Sequence, residues 1–219
     1  MLHYEVLHPD ALGLLKRLAS DSLLTDFRLV GGTAMALRLG HRTSVDFDFF
    51  NDAGRECGDW TDAFSVYGNT RLEQASPHIH VYDIAGVKVD VVSLKHPWLE
   101  PPVVEDSLRL ASMLDIAAMK LAAITNRGTR KDFVDLAFLL ERFSLNDMMD
   151  AYLRRCPAGM PFLVLKSLSF FDDAEDEPMP RMLIARDWEQ IKRVVQGAVR
   201  SARILGSFFQ LRITADGAD

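Results

Sequence analysis

Phe27-Arg28-Leu29-Val30-Gly31-Gly32-Thr33-Ala34-Met35-Ala36-Leu37-Arg38-Leu39-Gly40-His41-Arg42-Thr43-Ser44-Val45-Asp46-Phe47-Asp48-Phe49-Phe50 reads as a strand, a Gly-rich turn, a short helix and a second strand. The first strand ends at Gly31-Gly32, the helix covers Thr33 to Leu39, and the second strand carries two acids. In Val45–Phe49 apolar and polar residues alternate, so Val45, Phe47 and Phe49 are expected on a core face, with Asp46 and Asp48 together on the other. Carboxylates at i and i+2 stand about 6.5–7 Å apart along a strand, close enough to hold one or two Mg²⁺ ions. A Gly-Gly turn that opens a helix presents backbone amides to a phosphate, with the helix dipole behind them. A phosphate cradle beside metal-binding carboxylates is the minimum equipment for nucleotide chemistry.

Length and composition bound the rest. A chain of 219 residues, 48% hydrophobic, suits one large domain or two small ones with a real core. No apolar run reaches the roughly 18 residues of a membrane span, and the N-terminus lacks a charged-then-apolar signal pattern, so the chain is expected to be soluble, non-membrane and cytoplasmic. The two cysteines, Cys57 and Cys156, lie far apart without a CxxC pair, which argues against zinc or a disulfide framework. The net charge of −6 argues against a large nucleic-acid footprint, but charge is uneven. Residues 172–177 hold five acids and read as an exposed loop; residues 181–212 hold seven Lys/Arg against two acids.

The order of elements can be read outward from the motif. A first helix is expected from Pro9 to Ser20, with Pro9 at its first position. Residues 51–60 read as a loop, and Phe64–Tyr67 and Arg71–Gln74 as weak strands. Two alternating runs, Ile79–Ile84 and Val87–Val92, flank Ala85-Gly86, which is a hairpin signal. Pro97, Pro101 and Pro102 then break regular structure, and helices are expected over Ser107–Ile124, Lys131–Arg142, Asn146–Arg154 and Asp187–Leu205. The division is an α/β unit over residues 1–97 and a helical region over 98–219 that completes the active site.

Several further residues carry chemistry. Asp90 lies on the polar face of Val87–Val92; alone it reads as a solvated acid, but beside Asp46 and Asp48 it supplies the third carboxylate that a two-metal site uses. Lys120 sits in an apolar helix, where a lysine either snorkels to solvent or is held for an anionic ligand. Arg127, Arg130 and Lys131 put three cations in one short loop suited to a triphosphate or an RNA backbone. Asp132 and Asp135 share a helix face, either as dipole-stabilising acids and partners for the basic loop or as a base for an attacking hydroxyl. His41-Arg42 could touch a phosphate or merely be solvated. His78 and His80, without a third ligand, read as surface residues.

These motifs, in this order, resemble the AbiEii/AbiGii-type nucleotidyltransferase toxins of the DNA polymerase β-like nucleotidyltransferase superfamily. Gly31 through Phe50 is similar to that family's first motif, Gly86-Val87-Lys88-Val89-Asp90 to its second, Asp115 through Leu121 with Lys120 to its third, and Arg127 through Leu136 to its fourth. The resemblance implies an α+β fold: a minimal nucleotidyltransferase mixed sheet with flanking helices, followed by a helical C-terminal region. It implies an NTP-dependent enzyme with Mg²⁺ (or Mn²⁺), and a toxin of a toxin–antitoxin or abortive-infection system with a cognate antitoxin. Some relatives label tRNA, so tRNA or another RNA is a possible acceptor. Asp46, Asp48 and Asp90 would hold metal, with Asp90 also activating the acceptor hydroxyl; Gly31, Gly32, Thr33, Lys120 and Arg127 would bind nucleotide. Lys120, Asp132 and Asp135 would join the catalytic set. Rival readings are a non-catalytic nucleotide- or protein-binding module on the same fold, and transfer to a small molecule of antibiotic type.

Overall fold

The computed structural model describes residues 1–202. These residues belong to two compact units, Met1–Ile116 with Met179–Ala185, and Ala117–Pro178 with the chain from Arg186 onward.

The first unit is built on a mixed sheet. Its strands are β1 (Arg28–Val30), β2 (Phe47–Asn51), β3 (Thr70–Ser76), β4 (Ile79–Ile84), β5 (Val87–Ser93), β6 (Val103–Glu105) and β7 (Leu108–Leu110), in the order β3-β4-β5-β2-β1-β7-β6. β2 lies at the centre, antiparallel to β1 and parallel to β5. Helix α1 (Pro9–Ala19) starts where expected, with Pro9 in its first turn and the His8 ring accepting from the Asp10 amide. Helix α2 (Gly31–Leu39) includes both motif glycines and ends on Gly40 in the left-handed conformation. The core is Leu15 and Leu18 of α1, Met35 and Leu37 of α2, and Phe47, Val89 and Val91 of the central strands, all essentially sealed from solvent.

Burial corrects one detail of the alternation: Phe47 and Phe49 are inside, but Val45 precedes β2 and is 64% exposed. Phe64–Tyr67 is not a strand either. A helical turn, α3 (Thr61–Phe64), runs into a 3₁₀ turn (Ser65–Tyr67), and Phe64 packs edge-on against Trp60 and Tyr82.

The largest difference lies just after the prolines. Ser107 does not begin a helix: β6 and β7 form a hairpin at the sheet edge, closed by Asp106 and Ser107, both in left-handed conformation (φ 49° and 67°). Leu108 and Leu110 are buried and Arg109 is exposed, a strand pattern only three residues long and too short to separate from helix by periodicity. The turn lacks the Gly that marks such hairpins, and Tyr4 braces it by donating its hydroxyl to Asp106 at 2.6 Å. At Ala85-Gly86 the same left-handed pair (φ 53° and 82°) does carry the signal, and the β4–β5 hairpin forms as read. A boundary at residue 97 therefore cuts β6 and β7 from their own sheet; the boundary between units falls inside helix α4 (Met113–Arg127).

Residues 179–185 return to the first unit. Thr43 donates to the Arg181 carbonyl, and Leu183 and Ile184 donate to the His41 carbonyl. His41 and Arg42 are consequently buried under this strap instead of solvated.

The second unit is helical: the rest of α4, then α5 (Arg130–Leu139), α6 (Leu145–Arg155), α7 (Pro161–Leu168), α8 (Asp172–Glu175) and α9 (Trp188–Ser201). α5, α6 and α9 each begin with a reciprocal capping box, Thr129/Asp132, Ser144/Asp147 and Asp187/Gln190. Phe133, Phe171 and Trp188 meet in one aromatic cluster, with ring centroids 4.8–6.0 Å apart. The acidic run expected as a loop contains α8. Its end is anchored: the Arg130 amide donates to Glu177, the Arg130 guanidinium donates to the Ala174 and Glu175 carbonyls, and Trp188 Nε1 donates to Glu175. The expected extension of the last helix to Leu205 and the basic residues Arg203 and Arg212 lie outside the described residues.

Candidate active site

The site in the first unit is assembled by strand register. Asp48 on β2 is the direct partner of Asp90 on β5, so their Cα atoms stand one interstrand spacing apart, about 4.8 Å, with side chains on the same face. On the other side Asp48 faces Val30, the last residue of β1, so the chain enters the Gly-Gly turn beside this carboxylate. A Cβ on Gly31 would lie 2.2 Å from Asp48 Oδ2, and Gly31 adopts φ +66°. Only glycine fits both the conformation and the space. The Asp48 carboxylate thus lies against the start of α2, whose N-cap, Val30, has no side chain able to cap it.

Thr33 is 1% exposed and its hydroxyl is committed, donating to the Asp46 carbonyl while Ser44 Oγ lies 2.8 Å away and can donate to it. It fastens the first turn of α2 to the segment that delivers Asp46. A phosphate at this turn would therefore meet main-chain amides of Gly31, Gly32 and Thr33, not the Thr33 hydroxyl.

The electrostatics report a concentration of negative charge. Lys88 Nζ lies 2.8 Å from Asp90 Oδ2. Burial alone would lower the Lys88 ammonium; the Asp90 hydrogen bond and the charges of Asp90, Asp48 and Asp46 outweigh it and raise its pKa. All three predicted carboxylates therefore act on one cation. The other Asp90 oxygen, Oδ1, is buried and has no hydrogen-bond partner among the described residues. Oxygen donors of this kind suit a hard cation such as Mg²⁺ or Mn²⁺. Among the described residues no three His, Cys, Asp or Glu side chains form a ready ligand cage.

In the second unit Lys120, Asp132 and Asp135 come together. Lys120 Nζ is 2.8 Å from Asp132 Oδ1 and 2.7 Å from Asp135 Oδ2, and Asp135 is fully buried. Asp132 also caps α5 through Thr129. Burial would raise its carboxyl, but the Lys120 charge and hydrogen bond, aided by Thr129, hold it below the usual range. Lys120 does not snorkel; it joins α4 to α5. Arg127 ends α4 and is exposed, whereas Arg130 is consumed by the anchor to residues 174–177 and stacks on Trp188 at 4.7 Å.

Sequence reasoning missed Lys88, although it lies in the quoted second motif, because a Lys on an exposed strand face carries no distinctive pattern. His80 is 6% exposed rather than a surface residue, and His78 is half-buried, its Nδ1 3.2 Å from the Arg55 carbonyl. Cys57 and Cys156 remain thiols, each pushed up in pKa by burial. No helix among the described residues is long and apolar enough to cross a membrane.

Comparison with known proteins adds the following. A family model described as "Nucleotidyl transferase AbiEii toxin, Type IV TA system" matches residues 13–203. A protein of Aquifex aeolicus named only as uncharacterized, aq_aa25, is 31% identical over 196 residues, covering 85% of this chain and 92% of its own. Among solved structures, a putative nucleotidyltransferase from H. pylori superposes with a TM-score of 0.55 at 18% identity, over 90% of this chain and 98% of that one. MenT4, a nucleotidyltransferase toxin from Mycobacterium tuberculosis, does so with a TM-score of 0.54 at 13% identity, over 89% and 86%. At such identities the two structures bear on the fold alone.

Proposed function

The chain belongs to the AbiEii nucleotidyl transferase toxin family of type IV toxin–antitoxin systems and is a nucleotidyltransferase, and on that premise we propose that it is metal-dependent and transfers NMP from an NTP to an acceptor hydroxyl at Asp46, Asp48 and Asp90. The observation that carries this reading is the register pairing of Asp48 with Asp90 beside Gly31, with Lys88 in contact with Asp90. Asp46, Asp48 and Asp90 would hold Mg²⁺ or Mn²⁺, which when bound neutralises the triphosphate and the charge that grows as pyrophosphate leaves. The amides at Gly31 and Gly32 would orient a phosphate at the N-terminus of α2. The Asp90 carboxylate would accept the proton of the attacking hydroxyl, which then displaces pyrophosphate in line at the α-phosphorus. Lys120, Asp132 and Asp135, the remaining residues of the motif set, would act first by fixing α5 on α4.

The acceptor proposed is RNA, with an antitoxin as the physiological partner. Support for RNA rests on exposed Arg127; Arg130 is engaged with residues 174–177. Incubation of the parent and Asp48→Asn proteins with each α-labelled NTP, Mg²⁺ and total tRNA tests the reading. Label in RNA from the parent alone supports it; metal-independent labelling, or equal labelling by both proteins, would overturn the carboxylate assignment. If RNA stays unlabelled while a small molecule or protein takes the label, the chemistry stands and the acceptor changes. If RNA is the acceptor, Arg127→Glu should weaken its binding and flatten the salt dependence, as expected for a lost phosphate contact.

A further inference from the structure

Lys88 has a second partner within reach. Its cross-strand neighbour on β4 is Asp83, while Asp90 has Val81 on one side and Asp48 on the other. Residues directly opposite share a face, with Cβ atoms about 4.5–5.5 Å apart. The Lys88 ammonium therefore stands between two acids: Asp90, which it contacts at 2.8 Å, and Asp83 across the ladder. Asp83 accepts the Gly86 amide at 3.2 Å and is paired with Arg71 at 4.0 Å, a long contact that a second cation can share. The Lys88 side chain is 52% exposed and flexible, so moving it disturbs no packing.

We propose that Lys88 is a resident counter-cation of the carboxylate cluster, holding Asp90 while no metal is bound and crossing to Asp83 when a divalent cation takes Asp90. The inference rests on the carboxylate assignment above and deepens it. The Lys88 ammonium offsets the Asp90 carboxylate and lessens its repulsion with Asp48, its partner across the strands. A divalent cation held by the Asp90 carboxylate, whose Oδ1 is buried without a partner, would stand close to the ammonium on Oδ2, where like charges repel strongly. The two cations therefore compete for one carboxylate. A lysine that merely braced the strand as a surface ion pair would add at most about 1 kcal/mol and leave metal affinity unchanged.

The test uses Mn²⁺ alone as the probe, on the full chain, with calorimetry for affinity and melting in chelator for the metal-free state. Lys88→Met should melt lower than the parent in chelator and bind Mn²⁺ about tenfold more tightly, because the competitor is gone. Lys88→Gln should move the same way, and serves if the Met variant folds poorly. Asp83→Asn should weaken Mn²⁺ binding by a few-fold, because Lys88 loses its second resting place. If Asp48→Asn abolishes Mn²⁺ binding but both Lys88 variants bind no tighter than the parent, the counter-cation role is overturned and the metal assignment stands. If Asp48→Asn leaves Mn²⁺ binding unchanged, both are overturned.

Discussion

Each unit of this molecule sets a lysine against aspartates, and the two clusters differ in how far they are closed. In the second unit Lys120 has two acids at 2.7 and 2.8 Å, and the group is sealed, with Asp135 at 0% exposure. In the first unit three acids share Lys88, which touches only Asp90, is half open to solvent, and leaves Asp90 Oδ1 buried without a partner. In the closed cluster the one ammonium contacts both acids, and the group fastens α4 to α5. The open cluster keeps a buried carboxylate oxygen without a partner beside a half-exposed ammonium, an arrangement suited to the arrival of a cation. An unsatisfied carboxylate oxygen, not the mere presence of charge, separates the candidate site from the scaffold.

The sharpest way to break this contrast is to neutralise one acid of the open cluster. Asp48→Asn should lower nucleotidyl transfer by about 10³-fold or more, since metal charge compensation supplies several kcal/mol of transition-state stabilisation. The same change should leave the melting temperature in chelator equal or higher, because it relieves repulsion beside Asp90. Transfer at the parent rate, or a large loss of stability, would place Asp48 among the scaffold residues.

Next in size is the converse change in the closed cluster. Lys120→Met strands Asp135 in a sealed site, a defect that costs about 3–5 kcal/mol when one partner of a buried ion pair is removed. Urea unfolding of the parent and variant measures it. If the variant unfolds like the parent but no longer gains stability from NTP and Mg²⁺, Lys120 is a nucleotide ligand and the two clusters are of one kind. A smaller effect is expected where the glycine turn meets the open cluster. Gly31→Ala must put a Cβ at φ +66° and displace Asp48 Oδ2 from 2.2 Å away. The conformation alone costs about 1–2 kcal/mol, and Asp48 moves with it, so transfer should fall further than stability does. An alanine variant of full activity would show that Asp48 need not lie against α2.

The contrast also explains what the sequence made legible. Alternation along Phe47-Asp48-Phe49 and Val87 to Val91 gave the central strands and the shared face of Asp48 and Asp90, because local period two fixes facing in a half-buried strand. The Gly-Gly turn was legible because only glycine combines positive φ with close approach. Pairing across the molecule was not legible. That Lys120 closes on Asp132 and Asp135, that Arg130 anchors residues 174–177, and that 179–185 return to cover His41 are contacts between distant positions, and nothing in local composition encodes them. The Asp106-Ser107 hairpin was missed for the opposite reason: its information is local, but its turn residues are not the glycine or asparagine that advertise such a turn. Lys88 was overlooked because a strand lysine looks like solvated surface until the register shows which acids surround it.

The smallest effect lies in the acid limb of stability and separates the clusters by pH. Asp132 is held below its ordinary pKa: burial pushes it up, but Lys120 and Thr129 stabilise the carboxylate more. Its folded value is thus lower than its unfolded value, near 3.9. Below the unfolded value the unfolded chain binds the proton first, so this contribution is fully present above about pH 4–5 and drains away as pH falls through the folded value. Asp132→Asn should therefore be less stable than the parent at pH 6, with a gap that narrows as pH drops toward 3. Asp48→Asn leaves the Lys120–Asp132 pair intact, so its gap from the parent should not narrow in this way. Urea midpoints at pH 6, 5, 4 and 3 for the three proteins read this directly. Parallel curves for parent and Asp132→Asn would mean that the Lys120 cluster does not stabilise the fold through Asp132, and its closure would have to serve the nucleotide instead.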